Sequence, residues 1–472
     1  MKTLCTALLF FAFNCSQIRA EIDRTQKPAP APPPAAAFPD YKEQTLTNGL
    51  KIFVIEDERT PTVVFRLVIK SGAIFDGKKT GLTGFVATLL NRGTAKRDAD
   101  SFARESDFIG MSLEASAGPD SIAVSAAGLT KYTDKIIDLF ADAVLHPAFR
   151  AEQFTMEQKK TLSKLAAERM EPEALGDKLS GKLVFGVHPY GAYRTPETVQ
   201  AMKREDVVAF HKTHFIPNNA TLAIVGDVKA EMIVPIVEKA LGQWKAGKVV
   251  QPAAAKIANI KGIEVHLVDR PGSVQSNIVI GETGPPRANG NVPELNVLNA
   301  ALGGGFRGRL FQNLREKHGY TYGAYSAFML NKYGGAFKAT TETRNEVTAP
   351  AIKETLAEIQ RMRDEPMPDA ELELQRQYNV GNYLLSLENA GRTAQRVQDI
   401  DLYGLPHDFY KTYAKRMAEV TPEQIEQLAK KYLSVENLAI VVVGEGGEIK
   451  PQLEKIGKVL VYDTDLKPVT AH

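Results

Sequence analysis

Cysteine is nearly absent from this chain of 472 residues: there are two, Cys5 and Cys15, both within the first twenty positions. If that segment is removed no thiol remains, which excludes disulfides, cysteine catalysis and thiolate metal sites together and suits an oxidising compartment. Charge of one sign is missing as well. With 58 basic and 56 acidic side chains the balance is +2, so nothing in it argues for nucleic acid or an acidic membrane surface as partner. Histidine is sparse, and of the eight only His211 and His214, at i and i+3, have a ligand-like spacing. The Asn-Asn-Ala-Thr turn after them favours a helix end packed on a strand at Leu222–Val225 over a metal role. No G-x-S-x-G elbow is present.

What is present starts with Lys2, an apolar run from Leu4 to Phe13 and the ending Ile18-Arg19-Ala20. Residues 1–20 therefore read as an export signal, which predicts an exported protein of the bacterial periplasm. The run is short for a bilayer span, and no other stretch is long and apolar enough, so no transmembrane segment is expected beyond a signal left uncut. Residues 21–40 hold the Pro- and Ala-rich KPAPAPPPAAA, an extended linker.

The remaining 400-odd residues exceed what one core usually supports. Lys203–Val228 and Val420–Glu445 each read as an amphipathic helix, a polar turn and an apolar strand ending at glycine. This repeat predicts two related α+β halves, 41–250 and 260–460, joined by the Pro- and Ala-containing stretch 251–259.

In the second half, GGGFRGRLFQNLREKHGYTYGAYSAF runs from Gly303 to Phe328. Leu310, Phe311 and Leu314 fall at helical spacing, Gly319 follows as a stop, and Tyr320, Tyr322 and Ala324 alternate as in a strand. Arg315 and Tyr322 then flank one tight helix-to-strand turn, two donors able to stabilise charge on a carbonyl oxygen. Taken singly, an arginine near a helix end and a tyrosine in a strand need no function. Gly303, Gly305 and Gly308 also spell G-x-G-x-x-G, but Glu294–Leu302 before them is helical in period, whereas a dinucleotide fingerprint follows a strand.

The run LREKHGYTYG resembles the arginine–tyrosine segment of the pitrilysin and insulinase family of zinc peptidases, which includes the mitochondrial processing peptidases. The resemblance extends over nearly all of the chain after residue 40 and implies homologous α+β halves facing each other across a cavity. It also implies a zinc motif H-x-x-E-H on a helix of the first half, where two histidines hold the metal and the glutamate activates water. The matching stretch here is Thr80–Arg97, TGLTGFVATLLNRGTAKR, with Gly84, Ala87 and Thr88 at the motif positions. The match puts Lys164 at the third ligand, with Glu168 one turn on. None of these replacements can bind zinc as the motif does, so no cofactor is expected in this chain. The resemblance then implies a non-catalytic subunit: a homologous chain would bring H-x-x-E-H and zinc, while this one brings Arg315, Tyr322 and the substrate-binding glycines Gly303, Gly304 and Gly305 to a peptide substrate. The alternative it leaves is a structural or chaperone-like, peptide-binding member with no part in proteolysis.

Overall fold

The strand Ala220–Gly226, ATLAIVG, and the strand Leu438–Gly444, LAIVVVG, have every residue buried. Apolar side chains on both faces of a strand belong at the middle of a sheet covered on both sides, and each of these strands is central to one sheet. The computed structural model describes residues 38–252 and 256–469. The expected signal, and most of the Pro/Ala segment behind it, lie outside those residues.

The first sheet uses β1 (Lys42–Thr45), β2 (Lys51–Glu56), β3 (Thr62–Ile69), β4 (Ser112–Ala117), β5 (Ile122–Leu129) and β6 (Ala220–Gly226), in the order β1-β2-β6-β3-β5-β4. The second uses β7 (Ile263–Asp269), β8 (Gln275–Gly284), β9 (Thr321–Leu330), β10 (Gly335–Arg344), β11 (Leu438–Gly444) and β12 (Val459–Tyr462), in the order β12-β7-β11-β8-β10-β9. The architecture is α+β, two six-stranded mixed sheets packed with helices. The repeat read from sequence falls on equivalent elements: helix Arg204–His214 leads to β6, which pairs in parallel with β2, and helix Pro422–Tyr432 leads to β11, which pairs in parallel with β7. The symmetry ends at the outermost strand, because β1 precedes its neighbour and runs antiparallel to it, whereas β12 comes from the chain's end and runs parallel to β7.

The halves are interlocked by an exchange of helices. Helix Pro172–Phe185 follows the first half's strands β1–β5 but lies on β8 and β11 of the second sheet. Leu175 and Leu179 join Val279, Val441 and Val443 there in one apolar cluster. Gly176 permits the close approach: a Cβ on it would stand 2.8 Å from Asn277 Oδ1. In return, helix Ala390–Tyr403 of the second half covers β3 and β6. Its buried Gln398 donates to the carbonyls of Arg66 (2.8 Å) and Thr221 (2.9 Å), and Asp401 pairs with Lys51 and Lys70. A further clasp joins the hairpin turns, where buried Asp120 accepts from the Tyr190 hydroxyl and from the Lys332 amide at 2.9 Å. No helix of the described residues is long and apolar enough to cross a membrane.

Candidate functional site

The helix that carries the degenerate motif, Leu82–Leu89, begins at Gly81 in the left-handed region, φ 100°. Buried Asp76 fixes this start by accepting from the Gly81 and Thr83 amides at 2.7 and 2.9 Å. Burial nevertheless raises its carboxyl to about 6. Leu82, Phe85, Val86 and Leu89 face the core as their spacing predicts.

The motif positions border two cavities. Gly84 lines one of about 460 Å³ with Thr83, Glu168, Asp177, Lys178 and Arg194, and a Cβ added to it would meet nothing within 4 Å. Ala87 and Thr88 line another of about 430 Å³, between this helix and the edge strand β4. Gly84 and Thr88 are half-buried, whereas Ala87 is not open in this way. It is 2% exposed and part of the core cluster.

Lys164 on helix Ala151–Glu168 points to solvent, 4.0 Å from Glu168. The acidic side chains at the Gly84 cavity are already engaged: Glu168 is held by Lys178 at 2.7 Å, Asp177 by Lys338 at 2.8 Å, and Asp76 by the Gly81 and Thr83 amides. Among the described residues no three His, Cys, Asp or Glu side chains are grouped so as to hold a metal ion. The donor set at the motif helix, a glycine, an alanine and a threonine, does not fit zinc.

His211 and His214 are half-buried and engaged in packing and hydrogen bonds. His211 Nε2 lies 2.8 Å from the Val144 carbonyl oxygen, His214 Nδ1 lies 2.9 Å from Ser71 Oγ, and both rings pack on phenylalanines. Burial pushes both down to about 4.

At the arginine–tyrosine segment the helix opens at Arg309–Phe311 and continues as a π-helical turn, Gln312–Lys317. Gly319, φ 61°, ends it and β9 follows. Such π turns occur often at functional sites. Arg315 donates through Nη1 to the backbone carbonyl of Tyr322 at 3.0 Å and stacks over Phe311 at 4.8 Å. The pair is thus joined, but through the tyrosine's main chain. Its side chain is 86% exposed because a bulge in the β9–β10 ladder, between Thr341 and Thr343, interrupts the alternation. Tyr320, which periodicity does not separate from Tyr322, is half-buried and stacks on His318 at 4.9 Å.

The glycines serve mainly close packing. A Cβ on Gly303 would stand 2.6 Å from the Ser326 amide nitrogen, and one on Gly304 2.7 Å from Ala300 Cα. The Gly303 carbonyl accepts from the Ser326 amide at 2.8 Å, so this loop caps part of the β9 edge. Gly305 alone of the three faces open space, its nearest neighbour the Tyr378 hydroxyl. Near it the exposed rings of Phe306 and Tyr325 pack on Phe311, the ring under Arg315, and Tyr378 is exposed as well, a feature the sequence did not reveal.

Residues 51–185 match the model of the insulinase family (peptidase family M16), and residues 201–379 match the model described as the peptidase M16 inactive domain. The chain belongs to the insulinase family. It is similar to an uncharacterized zinc protease of Mycobacterium leprae, 29% identical over 402 residues, covering 83% of this chain and 88% of the relative. An uncharacterized zinc protease of Bacillus subtilis is 23% identical over 421 residues, covering 86% and 99%. Among solved structures, a peptidase M16 inactive domain from Pseudomonas fluorescens superposes with a TM-score of 0.81 at 23% identity, covering 86% of this chain and 98% of that one. A protease from Helicobacter pylori gives 0.82 at 19% identity, covering 86% and 100%. At such identities the structures establish the shared fold alone.

Proposed function

We propose that this insulinase-family chain is the non-catalytic subunit of a two-chain zinc peptidase in the bacterial periplasm. A homologous chain with an intact H-x-x-E-H supplies the zinc, and this chain binds and orients a peptide or unfolded segment. The observation that carries the reading is the braced Arg315: a guanidinium stacked on Phe311 and tied to the Tyr322 carbonyl, with the Tyr322 phenol projecting beside it, in a chain whose motif helix has lost every zinc donor. Arg315's remaining N–H groups and the Tyr322 hydroxyl are donors to the oxygen of a peptide carbonyl, and a donor of this kind is typically worth about 10²-fold in turnover. The zinc, on the other chain, would polarise the carbonyl and activate water.

A role limited to holding peptide is the second reading. Strand β4 favours it, since it is a sheet edge with an adjoining cavity, able to accept an extended segment by strand addition. Co-purification with the homologous chain, followed by peptide cleavage by each chain alone and by the pair, tests the proposal. Activity in the pair only, reduced by Tyr322→Phe, is the expected result. Cleavage by the partner at full rate without this chain would end it.

A further inference from the structure

The π turn Gln312–Lys317 closes a bond from i to i+5, the His318 amide donating to the Asn313 carbonyl at 3.1 Å. Such turns are rare, so a stable one calls for support from neighbouring elements. Here the support is Asn313. Its side chain is buried, and its Nδ2 donates to two carboxylates of helix Thr348–Asp364, Glu354 at 2.9 Å and Glu358 at 2.6 Å. These acceptors stand one helical turn apart and take both hydrogens of the amide, which fixes its place along that helix. Glu358 is itself held by Arg361 at 3.1 Å. Glu354 also lies 3.7 Å from His318 Nε2, so one carboxylate meets the turn at both ends.

The consequence falls on Arg315. Leu314, next to the anchored Asn313, is fully buried in the core, and two successive inward side chains leave Arg315 to project on the outer side of the turn. There it stacks over Phe311 at 4.8 Å and donates to the Tyr322 carbonyl at 3.0 Å. Those two contacts receive the guanidinium but do not fix the Cα from which it projects. An α-helical turn in place of the π turn, one residue tighter, would carry the residues after it round by roughly 100°.

We propose that Asn313 is the positioning residue for Arg315, with Glu354 and Glu358 as its fixed points. This rests on the reading that Arg315 acts on a peptide carbonyl. Asn313 touches no substrate; it holds the turn that aims the guanidinium.

The test is a mutant cycle on the reconstituted pair. Asn313→Asp removes the donor and sets a third carboxylate against two, and it should lower kcat about 10²-fold, the cost of a misplaced group. In a chain that already carries Arg315→Ala, the same replacement should cost less than about threefold more, since the group it positions is gone. Adding Glu358→Gln to Asn313→Asp exchanges donor and acceptor at constant charge and should return kcat to within about threefold of the unaltered pair. Glu354→Ala, at a half-buried position with less bearing on folding, should lower kcat about tenfold. Equal losses with and without Arg315, a thermal midpoint restored by the exchange without kcat, or full kcat in Glu354→Ala overturns the assignment. If the unaltered pair cleaves nothing, the peptidase reading fails, and the turn is read in the chain alone. A crystal structure of Asn313→Asp should then show the π turn and the bond from Arg315 to the Tyr322 carbonyl lost; one that keeps both overturns the positioning role.

Discussion

Arg66 and Gln398 bond to each other in both directions: Arg66 Nη1 donates to the Gln398 side-chain oxygen at 2.6 Å, and Gln398 Nε2 donates to the Arg66 carbonyl at 2.8 Å. One residue belongs to each half. Gln398→Ala leaves the Arg66 guanidinium, mostly buried, without its acceptor, and a loss of about 2–3 kcal/mol in urea unfolding is expected. A change under about 0.5 kcal/mol would mean that the interlock does not depend on this pair.

The Gly84 position has room to spare. Gly84→Leu fills open space and replaces the poorest helix former but proline, so stability should hold or rise by up to about 1 kcal/mol. If the cavity receives a partner or peptide, the same variant weakens complex formation. A drop in the thermal midpoint with binding unaltered would make the glycine a packing residue.

Zinc retention is checked by dialysis against zinc followed by metal analysis of the chain alone. With Gly84, Ala87, Thr88 and Lys164 at the ligand and base positions, less than one zinc per chain should remain. One tightly held ion would contradict the non-catalytic assignment.

Tyr322→Phe should lower kcat of the reconstituted pair about 10²-fold with assembly intact, and Arg315→Ala should lower kcat and weaken substrate binding. Tyr320→Phe should do neither, because that ring is occupied with His318. Impairment by Tyr320→Phe and not by Tyr322→Phe would show the register to be wrong.

Acid should unfold the chain partly through His211. Burial depresses its imidazole from the usual 6.5 to about 4, so between those values the unfolded chain binds a proton that the folded chain refuses. The stability is fully present above pH 6.5 and falls as pH drops toward 4, by at most about 3 kcal/mol for this one group. Urea midpoints measured across that window should show a flatter decline in His211→Gln.

The two sheets were legible because Ala220–Gly226 and Leu438–Gly444 are apolar throughout, a pattern only central strands tolerate. The exchange of helices was not. Leu175 and Leu179 demand burial but do not say against which sheet, and Gly176 has meaning only once Asn277 is known to lie under it. Lys164 and Glu168 are one helical turn apart, so a sequence match cannot tell which faces Gly84. The π turn was hidden for a similar reason, since the residues that close an i+5 bond are those that would close an i+4 bond. Tyr320 and Tyr322 were separated only by a bulge in β9 itself, where Tyr322 and Gly323 stand opposite Glu342 alone.

The helix exchange also fixes an order of events during synthesis. The last strand of the first sheet ends at Gly226, yet its second face stays bare until residues 390–403 have emerged. The N-terminal portion must therefore wait, partly folded and with apolar surface open, while more than 150 further residues are made. A chain nicked in the 251–259 connection after folding should remain one particle, whereas either fragment made alone should aggregate.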